Sequence, residues 1–158
     1  ENDDTPMLMK VMGFSAYSEG WGLYAEQLAD EMGAYEGDPW GQIGYLQSLM
    51  FRATRLVVDS GLHHKRWSRE QAITFMVDAI GDQESSVTTE IERYCVWPGQ
   101  AASYKVGHTT IVDIRDGAKR RLGSKFDIRS FHDTLLGVGG VPLEVLRGVM
   151  TDWERAQA

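Results

Sequence analysis

Glu19 has the setting that most invites chemistry. Most of the 23 acidic residues do no more than solvate a surface, as surface carboxylates usually do. On a helical wheel Glu19 lies nearly opposite the stripe formed by Tyr17, Trp21, Tyr24 and Leu28. Its own side of the helix carries Met12, Ala16 and Leu23 as well as Glu26 and Asp30. A carboxylate on a partly apolar face is costly unless it is paired, protonated or bound to a metal. Metal binding needs further donors, and the chain has four histidines. His63 and His64 are adjacent, so their rings rarely aim at one ion. His108 follows Tyr104 by one turn, and His132 stands between Phe131 and Asp133. There is no His-x-x-x-His pair and no His-Glu-x-x-His, so these residues alone do not assemble a three-ligand zinc site. Nucleophilic chemistry has less to work with. No Gly-x-Ser-x-Gly is present, and Cys95, between Tyr94 and Val96, is expected to be buried rather than activated. The run Gly137-Val138-Gly139-Gly140 lacks the Lys-Ser/Thr ending of a phosphate loop and reads as a turn.

The elements that must position these residues are helices. The aromatic stripe repeats at helical spacing, and Gly33 and Gly37 supply its exit. Asp38-Pro39 is an N-cap with a first-position proline, opening a second helix to about Ser60 with Gly61 behind it. Ser68 and Gln71 make a capping box for a third, ending near Gly81. A fourth covers roughly Ser86 to Val96, because Pro98 disfavours helical geometry at Trp97. A fifth runs from Gln100 to Leu122, Asp127 caps a short sixth through Leu136, and Pro142 starts the last. Thr109 to Ile114 has strand-like composition but sits inside a long helical pattern and is kept helical. The expectation is an all-α unit of about seven helices. Gly20, Gly22, Gly41, Gly44 and Gly107 fall within helices, where each costs about 1 kcal/mol relative to Ala unless a backbone or ligand comes close.

Composition narrows the function classes. The 158 residues carry a net charge of −7, with 42% hydrophobic and 25% charged side chains, which fits one globular unit. That acidic balance argues against nucleic-acid binding, and Lys119-Arg120-Arg121 is too short a basic run to change it. No stretch approaches a membrane span. A single cysteine makes neither an internal disulfide nor a thiolate cluster. The opening Glu1-Asn2-Asp3-Asp4 has no initiator Met and no basic, apolar leader, and reads as a piece of something longer.

Six phrases in one order carry a family resemblance: Glu19-Gly20-Trp21-Gly22-Leu23-Tyr24; Arg52 through His63 (RATRLVVDSGLH); Trp67 through Ala72 (WSREQA); Glu90-Ile91-Glu92-Arg93-Tyr94; Pro98-Gly99-Gln100-Ala101; and Ser103 through Gly107 (SYKVG). Phe126-Asp127, Phe131-His132-Asp133 and Val141-Pro142-Leu143 follow. From about Phe14 to Leu146 the chain resembles the C-terminal part of the bacterial family called domain of unknown function 885. That family is similar to the helical gluzincin peptidases, with a His-Glu-x-x-x-Gly-His type element upstream of the Glu-Gly-Trp phrase. The resemblance implies that residues 1–158 are a single all-α fragment of a larger catalytic domain. It also implies a zinc peptidase in which Glu19 is the third metal ligand and the upstream glutamate is the general base. Tyr104 and His63 would be the donors to a developing oxyanion, and Arg93 and Lys105 the anchors for a substrate carboxylate. Zinc is then expected in the longer protein and not tightly held by this chain, which would be inactive alone.

The expected partners are a peptide substrate, the chain's own N-terminal segment, and a second copy through the apolar face of Met12, Ala16 and Leu23. An exported protein is favoured by the same resemblance. Two other classes stay open. One is a non-catalytic helical module that binds a partner through its apolar faces. The other is metal-free acid/base chemistry through Glu19, Glu26 and Asp30, although nothing sets those carboxylates to different pKa values.

Overall fold

The computed structural model describes residues 7–157, so the opening Glu1–Asp4 lies outside the described residues. The elements are α1 (Met7–Val11), α2 (Ser15–Glu31), α3 (Pro39–His63), α4 (Arg69–Ile80), α5 (Glu84–Val96), α6 (Gln100–Leu122), α7 (Ile128–Gly137) and α8 (Leu143–Gln157), with a 3₁₀ turn at Gly123–Lys125. The protein is all-α. Seven of these helices have ten residues or more, and only the one-turn α1 had no counterpart in the sequence pattern.

The starts and stops follow local chemistry. The Asp38 side chain accepts from the Gly41 amide at the start of α3, with Pro39 as its first residue. Ser68 and Gln71 exchange both bonds of a capping box at α4, and Gly81 closes that helix at φ 73°. α3 does not stop at Gly61 as expected. It continues to His63, and Gly61 is buried because the Trp67 ring lies where a side chain would be. α5 begins two residues ahead of Ser86. Thr109 to Ile114 is helical because burial recurs at His108, Ile111, Arg115, Ala118 and Leu122, the spacing of a helix face rather than of a strand.

α6 is the spine. At about 1.5 Å per residue its 23 residues span roughly 35 Å. Its C-terminal half joins Tyr17, Tyr24, Phe131, Leu135, Leu146, Met150 and Trp153 in one cluster of α2, α6, α7 and α8. Its first turn joins Val58, Met76, Ile91 and Tyr94 in another, built by α3, α4 and α5. Burying each such side chain contributes about 1.5–3 kcal/mol.

α2 is apolar on two sides because it has two partners. Tyr17 donates to the Leu135 carbonyl at 2.8 Å, and the Tyr24 hydroxyl meets His132 Nε2 at 2.8 Å, both on α7. On the other side α2 crosses α6 where Gly20 meets Gly107. This corrects the expectation of an exposed patch at Met12, Ala16 and Leu23. Leu23 is 2% exposed, the Ala16 carbonyl rests on Gly107, and only Met12 is open. The exposed apolar stripe lies instead on α3, at Ile43, Leu46, Met50 and Val57. Cys95, expected inside, is exposed: α5 turns Ile91 and Tyr94 inward and leaves the cysteine outside.

Candidate functional site

The N-terminal end of α6 is where α2, α3 and α5 converge and where most of the singled-out residues meet. Glu19, half-buried on the second turn of α2, faces Gln100, the first residue of α6. The Gln100 amide donates to Glu19 Oε1 at 3.5 Å, and its carbonyl oxygen accepts from Arg93 Nη1 at 2.9 Å. Arg93 also holds Glu90 one turn back on α5, at 2.8 Å and 3.4 Å. The Tyr94 hydroxyl donates to the same carboxylate at 2.7 Å. Burial alone would raise Glu90, but hydrogen bonds from Arg93 and Tyr94 outweigh it and hold the carboxyl below its ordinary range. Arg93 is correspondingly raised by Glu90. Burial, then the Glu90 carboxylate, pushes the Tyr94 phenol up.

Tyr104 lies one turn beyond Gln100, so the two share a face of α6. The Arg55 guanidinium stacks on Tyr104 at 4.6 Å, on Tyr94 at 5.3 Å and on Phe51 at 5.4 Å. Arg52 lies 5.6 Å from the Tyr104 ring and 5.3 Å from Phe51. Among the described residues the Tyr104 hydroxyl has no hydrogen-bond partner, which leaves it free to donate.

His63 belongs to the edge of this cluster. Its Nε2–H donates to the Tyr94 carbonyl at 2.9 Å and lies 3.9 Å from Asp59. Asp59 is buried and accepts the Gly99 amide with both oxygens, at 3.1 and 3.2 Å, fixing the start of α6. Nδ1 is the ring nitrogen that His63 leaves free.

Lys105 points elsewhere. Its ammonium donates to His108 Nδ1 at 3.1 Å, and His108 Nε2–H donates to Gln27 Oε1 at 2.6 Å. Gln27 donates on to Glu31 at 2.7 Å, which Arg115 clamps at 2.8 and 3.0 Å. Burial lowers the Lys105 ammonium. Burial, with Lys105 and Arg115 alongside, pulls His108 down to about 4. Of the two proposed carboxylate anchors, then, Arg93 already holds Glu90 and Gln100, and Lys105 faces a separate relay. Glu26 accepts from Ser48 of α3 at 2.7 Å.

Glu19 is a half-buried carboxylate with one long hydrogen bond, so its oxygens retain lone pairs for a cation. No group of three His, Cys, Asp or Glu among the described residues is arranged to hold a metal. These residues therefore fit one ligand of a zinc site and not a complete one. The reading of the sequence missed Arg52, Arg55, Asp59, Glu90 and Gln100, although each sits in one of the quoted phrases.

The class these observations define is an all-helical protein whose α6 end gathers carboxylates, guanidiniums and tyrosines at one locus. The chain belongs to the bacterial proteins of unknown function called domain of unknown function 885, whose family model matches residues 1–150. It is similar to a "putative lipoprotein" of Colwellia psychrerythraea at 52% identity and TM-score 0.92, covering 96% of this chain and 26% of that one. It is also similar to a "putative lipoprotein of unknown function" from Shewanella oneidensis, at 27% identity and TM-score 0.88, covering 95% and 28%. The chain thus spans about a quarter of the length of these solved relatives. No curated protein matches it. No helix among the described residues is long and apolar enough to cross a membrane.

Proposed function

We propose that this chain is the C-terminal portion of an exported, zinc-dependent peptidase, with Glu19 as one metal ligand. The observation that carries the reading is the approach of Glu19, through Gln100, to the face of α6 that bears the unengaged Tyr104 hydroxyl. Zinc with three protein ligands and an open position supplies a bound water of pKa about 7 as the nucleophile. The remaining ligands and the general base come from the part of the polypeptide that precedes this region. Within the chain, Gln100 orients the Glu19 carboxylate, and Arg93 fixes Gln100. Tyr104 donates its hydroxyl proton to the oxygen that gains charge; His63, whose Nε2–H is given to the Tyr94 carbonyl, would be a second donor only through a protonated Nδ1. Arg93 and Lys105 are the weaker assignments for a substrate carboxylate, since both already have partners. Export is supported by the lipoprotein description of the two solved relatives.

The test uses the natural polypeptide carrying this region. Glu19→Gln is expected to lose bound zinc, measured by elemental analysis, together with peptide hydrolysis. Tyr104→Phe is expected to keep zinc and lose about 10²–10³ in turnover. Hydrolysis that survives Glu19→Gln overturns the reading. It would favour the second one, a non-catalytic helical module, which the exposed α3 stripe at Ile43, Leu46, Met50 and Val57 supports.

A further inference from the structure

We propose that Arg55 and Arg52 form a clamp for a carboxylate, and that the carboxylate is the free C-terminus of a peptide. The two guanidiniums sit one turn apart on α3 and converge on the Tyr104 ring. Arg55 is only 4% exposed. Among the described residues neither arginine has a carboxylate in ion-pair contact, and the Nε of each is buried without a hydrogen-bond partner. Burying a guanidinium is costly unless its charge and its N–H donors are met. The faces of Tyr104, Tyr94 and Phe51 offset part of that cost through cation–π contact but accept none of the five N–H groups. The other buried arginine shows what a satisfied one looks like: Arg115 donates to both oxygens of Glu31 and to Asp116 at 2.9 Å.

The charge count points to a monoanion. Glu90, within electrostatic reach of Arg55, is already bound by Arg93 and Tyr94. Asp59 is held by the Gly99 amide. Asp59 keeps its own charge, so the two unpartnered arginines stand against Glu19 and Asp59 with little excess positive charge, which disfavours a ligand carrying more than one negative charge. A planar carboxylate matches the guanidinium fork bidentately, whereas a phosphate dianion would face Glu19 and Glu90. On the Arg52 side of the clamp lies an open cavity of about 240 Å³, lined also by Gln47, Ser48, Phe51 and Asp82, with Arg55 behind it and not part of its lining. Its Asp82 is the acceptor of the Gln47 amide at 3.3 Å.

This deepens the peptidase reading and rests on it for the identity of the peptide. It makes the protein one that acts at the C-terminal end of its substrate, with Tyr104 held between clamp and scissile bond. The experiment is calorimetric binding to the metal-depleted natural polypeptide, so that it does not depend on hydrolysis. The probes are an N-acetylated dipeptide with a free C-terminus, its C-terminal amide, and inorganic phosphate. The free acid is expected to bind on the order of 10- to 100-fold more tightly than the amide, the loss of one charge-assisted pair, and more tightly than phosphate. Arg52→Gln, at a half-buried site, is expected to remove that preference. Arg55→Lys, which keeps the charge but not the fork, is expected to weaken it. Equal binding of acid and amide, no binding of either, tighter binding of phosphate, or a preference that survives Arg52→Gln overturns the clamp. Hydrolysis that persists while acid and amide bind equally sinks the clamp and leaves the peptidase. Acid preference without hydrolysis sinks the peptidase and leaves a carboxylate site.

Discussion

His108 shows how one side chain's neighbours fix its protonation. The Lys105 ammonium can only donate, so Nδ1 must accept, and Nε2 carries the hydrogen given to Gln27. A proton on Nδ1 would place a cation against Lys105 with nothing to receive it. Burial, then Lys105 and Arg115, sets the folded value at about 4, below an unfolded value of about 6.5. The unfolded chain therefore binds the proton first. This contribution to stability is complete above pH 6.5 and is lost as pH falls towards 4. At about 1.4 kcal/mol per unit it amounts to roughly 3 kcal/mol. Urea midpoints should drop between pH 7.5 and 4.5, and His108→Gln should flatten most of that drop. A variant that loses as much as the parent would show that the relay is not the source. The same scale shows what a sequence hides. Glu19 stands out by its side of α2, and Tyr104 and His63 by the family resemblance of the phrases they stand in. Arg52 and Arg55 stand in such a phrase too, but nothing in the sequence sets them apart from its other residues. What distinguishes them is burial against three rings without an acceptor, and that arises only when α3, α5 and α6 pack.

The crossing of α2 and α6 is the contact on which the site depends at the level of elements. A Cβ on Gly20 would lie 2.5 Å from the Gly107 backbone, and one on Gly107 would overlap the Ala16 carbonyl oxygen. Gly107→Ala must push the helices apart, and overpacking of this kind costs about 1–3 kcal/mol or more. The same shift should carry Glu19 away from Gln100. Gly44, also within a helix, has nothing within 4 Å of such a Cβ, so Gly44→Ala should stabilise by up to about 1 kcal/mol. Thermal melts of the two variants should move in opposite directions. Equal shifts would mean that the crossing is looser than described. Interior glycines were legible as sites of close approach, and that holds at Gly20 and Gly107 but not at Gly22 or Gly44, which face open space. Caps and periodicity marked seven helices because those signals are local. The end of α3 was misplaced because Gly61 answers to the Trp67 ring beside it. The partner of the second α2 face was hidden because it lies some 80 residues away in the chain.

Taken whole, the molecule has two apolar clusters threaded by α6 and a third apolar surface with no partner among the described residues. Ile43, Leu46, Met50 and Val57 recur on α3 at spacings of three, four and seven, which sets them in one stripe, and all are at least 43% exposed. Such a stripe is a surface for association rather than for solvent. The solved relatives, nearly four times as long as the matched region, have ample further chain to cover it. A chain of 158 residues carrying this stripe uncovered should therefore associate with itself as concentration rises, against the repulsion of a net charge of −7. Leu46→Gln combined with Met50→Gln removes apolar area from water-exposed positions without a change of charge, and Gln is a good helix former. Sedimentation velocity should show the parent shifting to larger species with concentration and the double variant staying monomeric, while their melting temperatures stay close. If the double variant also melts much earlier, these side chains are packing within the chain itself. If the parent never shifts, the stripe is solvated, and the case for a covering segment loses its physical motive.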